Sequence, residues 1–361
     1  MKERARLFGE SLIEGEKLCV RQRPPLLSVV ITCFNYETFI VEAIDSVLAQ
    51  NCPSLEIIVV DDGSTDQSWE KIQTYKDQII AVRTENRGAL RSSLTGFSLS
   101  KGDFVYFLDA DDLLCLGAIN LLKPHLRANV SKIQFMLLPI DKSGNVIGHA
   151  FPRLKPSDDS GVLIESIIKS GFYLTPPTSG NVYRRNVYEE LGDLSYERAI
   201  DGVAYLLAPF VGEVISIDKA LAKYRIHSSN LSAFSDLSGS RMNGYIARFL
   251  SRLQHLEQLI HTRGINGRDF CVRKDYAYVL EMTIMGMIAE RRRPNLRLVR
   301  AYVLAVAREY SGAKRKLLLI FGVASIVLPV KLTIGLVKFR IDQSKNSWIR
   351  TKIKTLLMAH Q

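Results

Sequence analysis

The residues best suited to chemistry are acidic and stand where apolar runs end. In "FVYFLDADD", residues 104–112, Asp109, Asp111 and Asp112 follow an apolar and aromatic run, and in "LEIIVVDDGSTD", residues 55–66, Asp61 and Asp62 do the same. Three carboxylates in four positions repel one another unless a cation lies between them, and an unpaired buried carboxylate is costly. Mg2+ or Mn2+ resolves that conflict, because hard cations prefer oxygen ligands and take one or two protein carboxylates, with water and phosphate oxygens completing the shell. Taken alone, the same Asp-rich turn reads equally as a solvated loop or a helix N-cap.

The elements that must position these groups follow from the pattern around them. Ser28 to Cys33, after Pro24 and Pro25, is a short apolar run of the kind buried on both faces of a sheet. Ile40, Ala43, Ile44, Val47 and Leu48 then repeat at the spacing of one helix face. A second strand ends at Asp61 and Asp62, with Gly63 for the turn, and Ser64 and Gln67 have capping-box spacing for a helix over "DQSWEKIQTYKD". "QIIAVRT" reads as a third strand, "ENRGALRSSLTGFSLSKG" as a loop and helix closed by Gly102, and "FVYFLDADD" as a fourth strand. Alternating strand and helix predicts an α/β fold with a mostly parallel sheet flanked by helices. Ligands of such sheets sit outside the carboxyl ends of the strands. Thr32 and Asn35, Asp61 and Asp62, and Asp109 to Asp112 all fall there.

Composition sets the limits. Usage of 47% hydrophobic and 24% charged residues is that of a folded chain and sets disorder aside. The five cysteines are odd in number and scattered without metal-ligand spacing, which favours a reducing compartment. The start, "MKERARLFGESLIEGEK", has no apolar core of a signal or anchor. Charge is unevenly spread: residues 1–240 hold 25 Lys and Arg against 30 Asp and Glu, whereas residues 241–361 hold 23 against 7. The basic third also contains the uncharged run Leu317 to Val330, too short to span a bilayer. It reads as lying on an anionic membrane surface, with a core helix as the bland alternative. Basic residues here accompany aliphatic runs rather than aromatic platforms or zinc modules, so nucleic acid is not the expected partner.

The strings "SVVITCFNYETFIVEAIDSVLAQ", "EIIVVDDGSTD" and "ENRGA…GFSLSKGDFVYFLDADD", in that order, resemble the nucleotide-sugar-binding half of family-2 glycosyltransferases with the GT-A fold. The likeness is strongest over residues 27–120 and resumes at "PPTSGNVYRRNVYEELG" and "AIDGVAYLLAPF…YRIHSSNLS". It implies a donor half over 27–120 and an acceptor half of the same domain over 121–235, to which charge and composition add a charged leader over 1–26 and a helical, basic, membrane-associated region over 236–361. It also implies an inverting transfer from a nucleotide-diphospho-sugar to a glycan or lipid-linked acceptor in cell-surface polysaccharide or glycolipid assembly, on the cytoplasmic face of the membrane.

The resemblance carries residue roles as well. Asp62, beside Asp61, would bind the base, with Thr32, Phe34 and Asn35 around it. Asp109 and Asp111 would face the ribose and a metal-bound diphosphate, and Asp112 would be a further ligand, a sugar contact or a cap. Asp201 in "AIDGVAYLLAPF" is the candidate base, although Ile200 stands where relatives carry an acid; the other reading makes Asp201 a helix cap. His227 would be a metal ligand and Arg225 a phosphate contact, unless the histidine is an ordinary loop residue. Thr178, Ser179 and Asn181 would touch donor sugar or acceptor, or serve only as turn formers. Thr95 replaces an asparagine common in the family. The Gln-x-x-Arg-Trp element of processive synthases is absent, which favours single addition. Two other classes compete: a catalytically silent nucleotide-sugar-binding module, and a nucleotidyltransferase, whose Gly-rich basic loop "CFNYETF" lacks.

Overall fold

The computed structural model describes residues 27–157, 159–189, 191–227, 238–265 and 270–341. The charged leader expected over 1–26 and the tail beyond 341 lie outside them. Strands and helices alternate as β1 (Leu27–Cys33), α1 (Ile40–Leu48), β2 (Leu55–Asp61), α2 (Ser68–Gln73), β3 (Ile80–Arg83), α3 (Ala89–Leu99) and β4 (Phe104–Asp109). There follow β5 (Leu113–Leu114), α4 (Ala118–Leu122), β6 (Val130–Ile140), α5 (Ser160–Ser170), β7 (Asn181–Arg184), α6 (Ala204–Val211) and β8 (Glu213–Arg225). Five helices complete the described chain: α7 (Gly239–Thr262), α8 (Ala277–Ala289), α9 (Leu296–Glu309), α10 (Gly312–Val327) and α11 (Val330–Ile341).

The eight strands form one sheet in the order β3-β2-β1-β4-β7-β6-β8-β5. The first four neighbours run parallel, β7 is antiparallel to β4 and β6, and β6 pairs parallel with β8. Both faces are covered. Along β1, Val29 and Ile31 enter the core under α1 and α4, while Val30 enters the core shared with α3, α6 and α7. Ile40, Ala43, Ile44 and Val47 are the buried stripe of α1, at the expected spacing. A third cluster, around Ile284, Met285, Tyr302 and Phe321, belongs to the C-terminal helices. No helix among the described residues is long and apolar enough to cross a membrane.

Two local expectations are corrected. Ser64 and Gln67 do not form a capping box, because tertiary partners claim both: Asn35 N donates to Ser64 Oγ and Gln67 N to Glu37 Oε2. Asp66 takes over, accepting from Ser68 N, and α2 begins at Ser68. Gly102 does not end its helix either, since α3 stops at Leu99. It allows a close approach instead: a Cβ there would lie 2.7 Å from Ser28 N and from Phe104 O, and its own N–H donates to Ser28 Oγ.

Candidate active site

The register lines up the carboxyl ends of three parallel strands. Cys33 of β1 pairs with Asp61 of β2, and Thr32 with Asp109 of β4. Neighbouring strands lie about 4.8 Å apart, so the polar groups after each apolar run share one rim. Asp109, Asp111 and Asp112 each offer a carboxylate oxygen, all within 4.8 Å of one another. Asp112 Oδ1 accepts from Arg225 N, while its buried Oδ2 has no hydrogen-bond partner. Three oxygen donors and one orphaned buried carboxylate oxygen fit a hard divalent cation.

The electrostatics agree with that fit. Asp109 is pushed up to about 7, first by burial, then by the charges of Asp111 and Asp201, while a hydrogen bond with Ser179 pulls the other way. Burial, with Asp109 and Asp111 beside it, holds Asp112 well above the usual carboxylate range. Tyr36 was not foreseen, because nothing local marks it. Its ring packs against His227, which contacts Asp111, and burial and then the charges of Asp111, Asp109 and Asp112 raise its phenol. His227 Nε2 lies 2.9 Å from Asp111 Oδ2, and its ring packs against Tyr36 and Phe39. The histidine thus reaches the metal-type site through Asp111.

Arg225 has a different place from the one expected. Its guanidinium is fully buried, with Nε on Asp111 O, Nη1 on Lys142 O and Nη2 on Glu42 Oε2, each at 2.8 Å. It also lies over the Phe39 ring. The main-chain carbonyls of the Asp turn and of the turn after β6 turn inward here, so the arginine satisfies them and fixes the turn rather than meeting a phosphate.

On the β2 side, Asp61 is buried. Its Oδ2 accepts from Ser64 N and pairs with Arg83, which makes it a support for the "DDGSTD" turn. Gly63 has φ +74° there, and a Cβ would come 2.9 Å from Asn86 N, so only glycine fits. Asp62 accepts from Arg87 N and Gly88 N, tying the entrance of α3 to β2. It also lines a cavity of about 210 Å³ with Thr84, Glu85, Arg87, Arg91, Ser92 and Thr95. Each carboxylate oxygen has two lone pairs, so the loop bonds leave Asp62 acceptor capacity toward that cavity. Thr32 and Phe34 sit at the end of β1, Phe34 being exposed, and neither is among the cavity's lining residues. Asn35, at φ +57°, spends its amide oxygen on Thr65 N. A larger cavity, about 570 Å³, opens at the amino ends of β2 and β3, away from the carboxylates.

The "PTSGN" segment joins the Asp turn to Asp201. It forms a short 3-10 turn, Thr178–Gly180, before β7. Ser179 Oγ accepts from Asp109 N at 3.2 Å, and Thr178 Oγ1 lies 3.5 Å from both carboxylate oxygens of Asp201. Asn181 faces away and holds the Pro176 and Pro177 carbonyls. Asp201 is not the side-chain cap of α6, whose N-cap is Val203. Burial raises the Asp201 carboxyl, opposed by Arg252 and Lys132, with Glu197 adding to the rise. Ile200, the departure noted in the sequence, is buried in the core against α6 and α7. Lys132 is fully buried on β6, bonded to Gln134, Tyr173 and Thr175 amid three tyrosine rings. A lysine inside an apolar strand was the available signal for it.

Comparison with known proteins agrees with this architecture. Residues 28–138 match the profile of "Glycosyl transferase family 2". An uncharacterized glycosyltransferase of Nostoc sp. is 32% identical over 271 residues, covering 67% of this chain and 81% of the relative. One from Haemophilus influenzae is 27% identical over 222 residues, or 58% of this chain and 68% of that protein. Among solved structures, S. aureus TarS 1–349 in complex with UDP-GlcNAc shares the fold at a TM-score of 0.52 and 15% identity, covering 87% of this chain and 91% of that one. With the acidic ends of β2 and β4 brought to one rim, the chain belongs to glycosyl transferase family 2 and is a nucleotide-sugar-dependent glycosyltransferase.

Proposed function

We propose that this enzyme transfers a sugar, with inversion, from a nucleotide-diphospho-sugar to the hydroxyl of a glycan or lipid-linked acceptor in cell-surface polysaccharide or glycolipid assembly. The observation that carries the reading is the Thr178–Gly180 turn, whose consecutive residues touch Asp201 on one side and Asp109 on the other. Asp201 takes the acceptor proton as the oxygen attacks the anomeric carbon. The bond from that carbon to the diphosphate oxygen breaks, and its electron pair leaves with the nucleoside diphosphate. Asp62 and the cavity beside it receive the base. Asp109, Asp111 and Asp112, with His227 behind Asp111, would hold Mg2+ or Mn2+. The cation would neutralise charge developing on the diphosphate. Arg225 and Ser179 keep those carboxylates aimed.

Donor identity is tested by screening nucleotide sugars for Mg2+- or Mn2+-dependent hydrolysis. One or a few donors should turn over, and a chelator should abolish the signal. Hydrolysis that survives chelation would remove the metal from the scheme, and no turnover with any donor and acceptor would favour a silent binding module.

The raised carboxyl groups give a second test. Because Asp109 keeps its proton up to about pH 7 in the folded state, against 3.8 ordinarily, its contribution to stability is present at low pH and is lost as pH rises between those values. A bound cation would take the place of the proton. Added Mg2+ should therefore raise the melting temperature more at pH 8 than at pH 5.5, and an equal or reversed effect would refute metal binding at this cluster.

The basic C-terminal region belongs to the same proposal: it holds the enzyme on the cytoplasmic face of a membrane.

A further inference from the structure

The apolar run Leu317 to Val330 lies mostly in α10, which has a clear inside and outside, and reaches α11 only at Val330. On α10, Leu318, Phe321, Gly322 and Ser325 are buried. A Cβ at Gly322 would already lie 3.0 Å from the Tyr302 ring, so α9 and α10 are in close contact and the rotation of α10 is fixed. The opposite side carries Ile320, Val323 and Val327, which are 59%, 55% and 70% exposed. Their spacing of three and four residues makes one continuous stripe. Pro329 then breaks the helix, and α11 adds exposed Leu332 and Leu336. Large aliphatic side chains singly exposed are ordinary, but a run of them along two successive helices marks an interaction surface.

Charge narrows the choice of occupant. Between Tyr310 and Ile341 the sequence holds six Lys and Arg and no Asp or Glu. Arg315 and Lys316 are exposed at one end of the α10 stripe, and Lys331 and Lys338 are exposed on α11. An exposed aliphatic stripe on helices that carry cations and no carboxylate of their own matches an anionic bilayer surface, where side chains enter the acyl boundary and basic groups meet lipid phosphates. Neither helix is long and apolar enough to cross a bilayer.

We infer that the outward face of α10, continued onto α11, is an in-plane docking surface for anionic lipid. This deepens the membrane part of the proposed function and rests on it. The face inserts Ile320, Val323 and Val327, while Lys316, Lys331 and Lys338 lie at headgroup level.

The test uses the full chain and sedimentation with vesicles of phosphatidylcholine alone or mixed with phosphatidylglycerol. Wild type should bind the mixed vesicles, bind the neutral ones weakly, and be partly released by high salt. Ile320→Asp with Val323→Asp should lower the vesicle partition coefficient about tenfold or more, since each loses burial of an aliphatic side chain. Arg315→Glu with Lys316→Glu should weaken binding only to the anionic vesicles. An equivalent exposed site, Leu121→Asp on α4, should change nothing. Turnover with a water-soluble acceptor reports that the variants are folded. Wild-type binding by the Ile320/Val323 variant would overturn the inference, whether or not the variant differs from wild type in its mass by size-exclusion with light scattering. Removing residues 312–361 separates the two claims. If that deletion releases the protein and the double variant does not, the face is wrong and the membrane reading stands; if the deletion releases nothing, the membrane reading itself fails.

Discussion

Asp201→Asn is expected to lower the transfer rate by about 10²- to 10⁴-fold, the usual worth of a general base. Asparagine has nearly the same shape and keeps the contact with Thr178, but it cannot take the acceptor proton. Donor binding and a Mg2+-induced rise in melting temperature should therefore persist, reduced only modestly, because Asp201 contacts the far side of the Thr178–Gly180 turn and acts on Asp109 through its charge alone. In the wild type, burial holds the Asp201 carboxyl above its ordinary value. The rate should accordingly fall as pH drops through that raised value, and this acid limb should disappear from the residual activity of the variant. Wild-type turnover by Asp201→Asn, measured with saturating donor and acceptor, would remove the residue from the chemistry.

Asp111→Ala should fail differently. The substitution removes one of three converging carboxylates and the partner of His227, so both transfer and donor hydrolysis should drop by roughly 10³-fold, as expected for several kcal/mol of lost charge stabilisation. Donor affinity and the Mg2+ effect on melting should fall with them. The fold should survive, because the buried Arg225 guanidinium bonds to the main-chain oxygen of residue 111, which alanine retains. Calorimetry with Mg2+ and with the donor distinguishes the pair of variants: one binds without turning over, the other does neither. Undiminished metal dependence in Asp111→Ala would mean that the cation sits elsewhere.

The contrast between the two acids also shows how far the sequence reaches. Asp61, Asp62 and Asp109 were legible as rim residues because each closes an apolar run, and a buried strand must end where its side chains become polar. Asp201 stood out only through its resemblance to a family pattern. Its surroundings come from Lys132 on β6, Arg252 on α7 and Thr178 before β7, groups far apart in the chain. No local periodicity encodes such a meeting. Arg225 is the sharpest example of the gap, since the same "YRIH" string is compatible with a phosphate contact or a buried support. Only the inward turn of the Asp111 and Lys142 carbonyls selects the second.

The sequence by itself determined the alternation of strands and helices, the acidic ends of β2 and β4, and the basic, aliphatic C-terminal third, because these depend on neighbours within one or two turns of chain. The tertiary structure alone decided which side chains the turns consume and which they leave free. Ser64 and Gln67 are claimed by the β1 loop rather than by α2, and Asp62 is shared between the α3 entrance and a cavity. Asp112 keeps one buried oxygen without a partner. Such outcomes are settled by register between parallel strands and by competition for buried hydrogen-bond partners, both of which join residues remote in sequence.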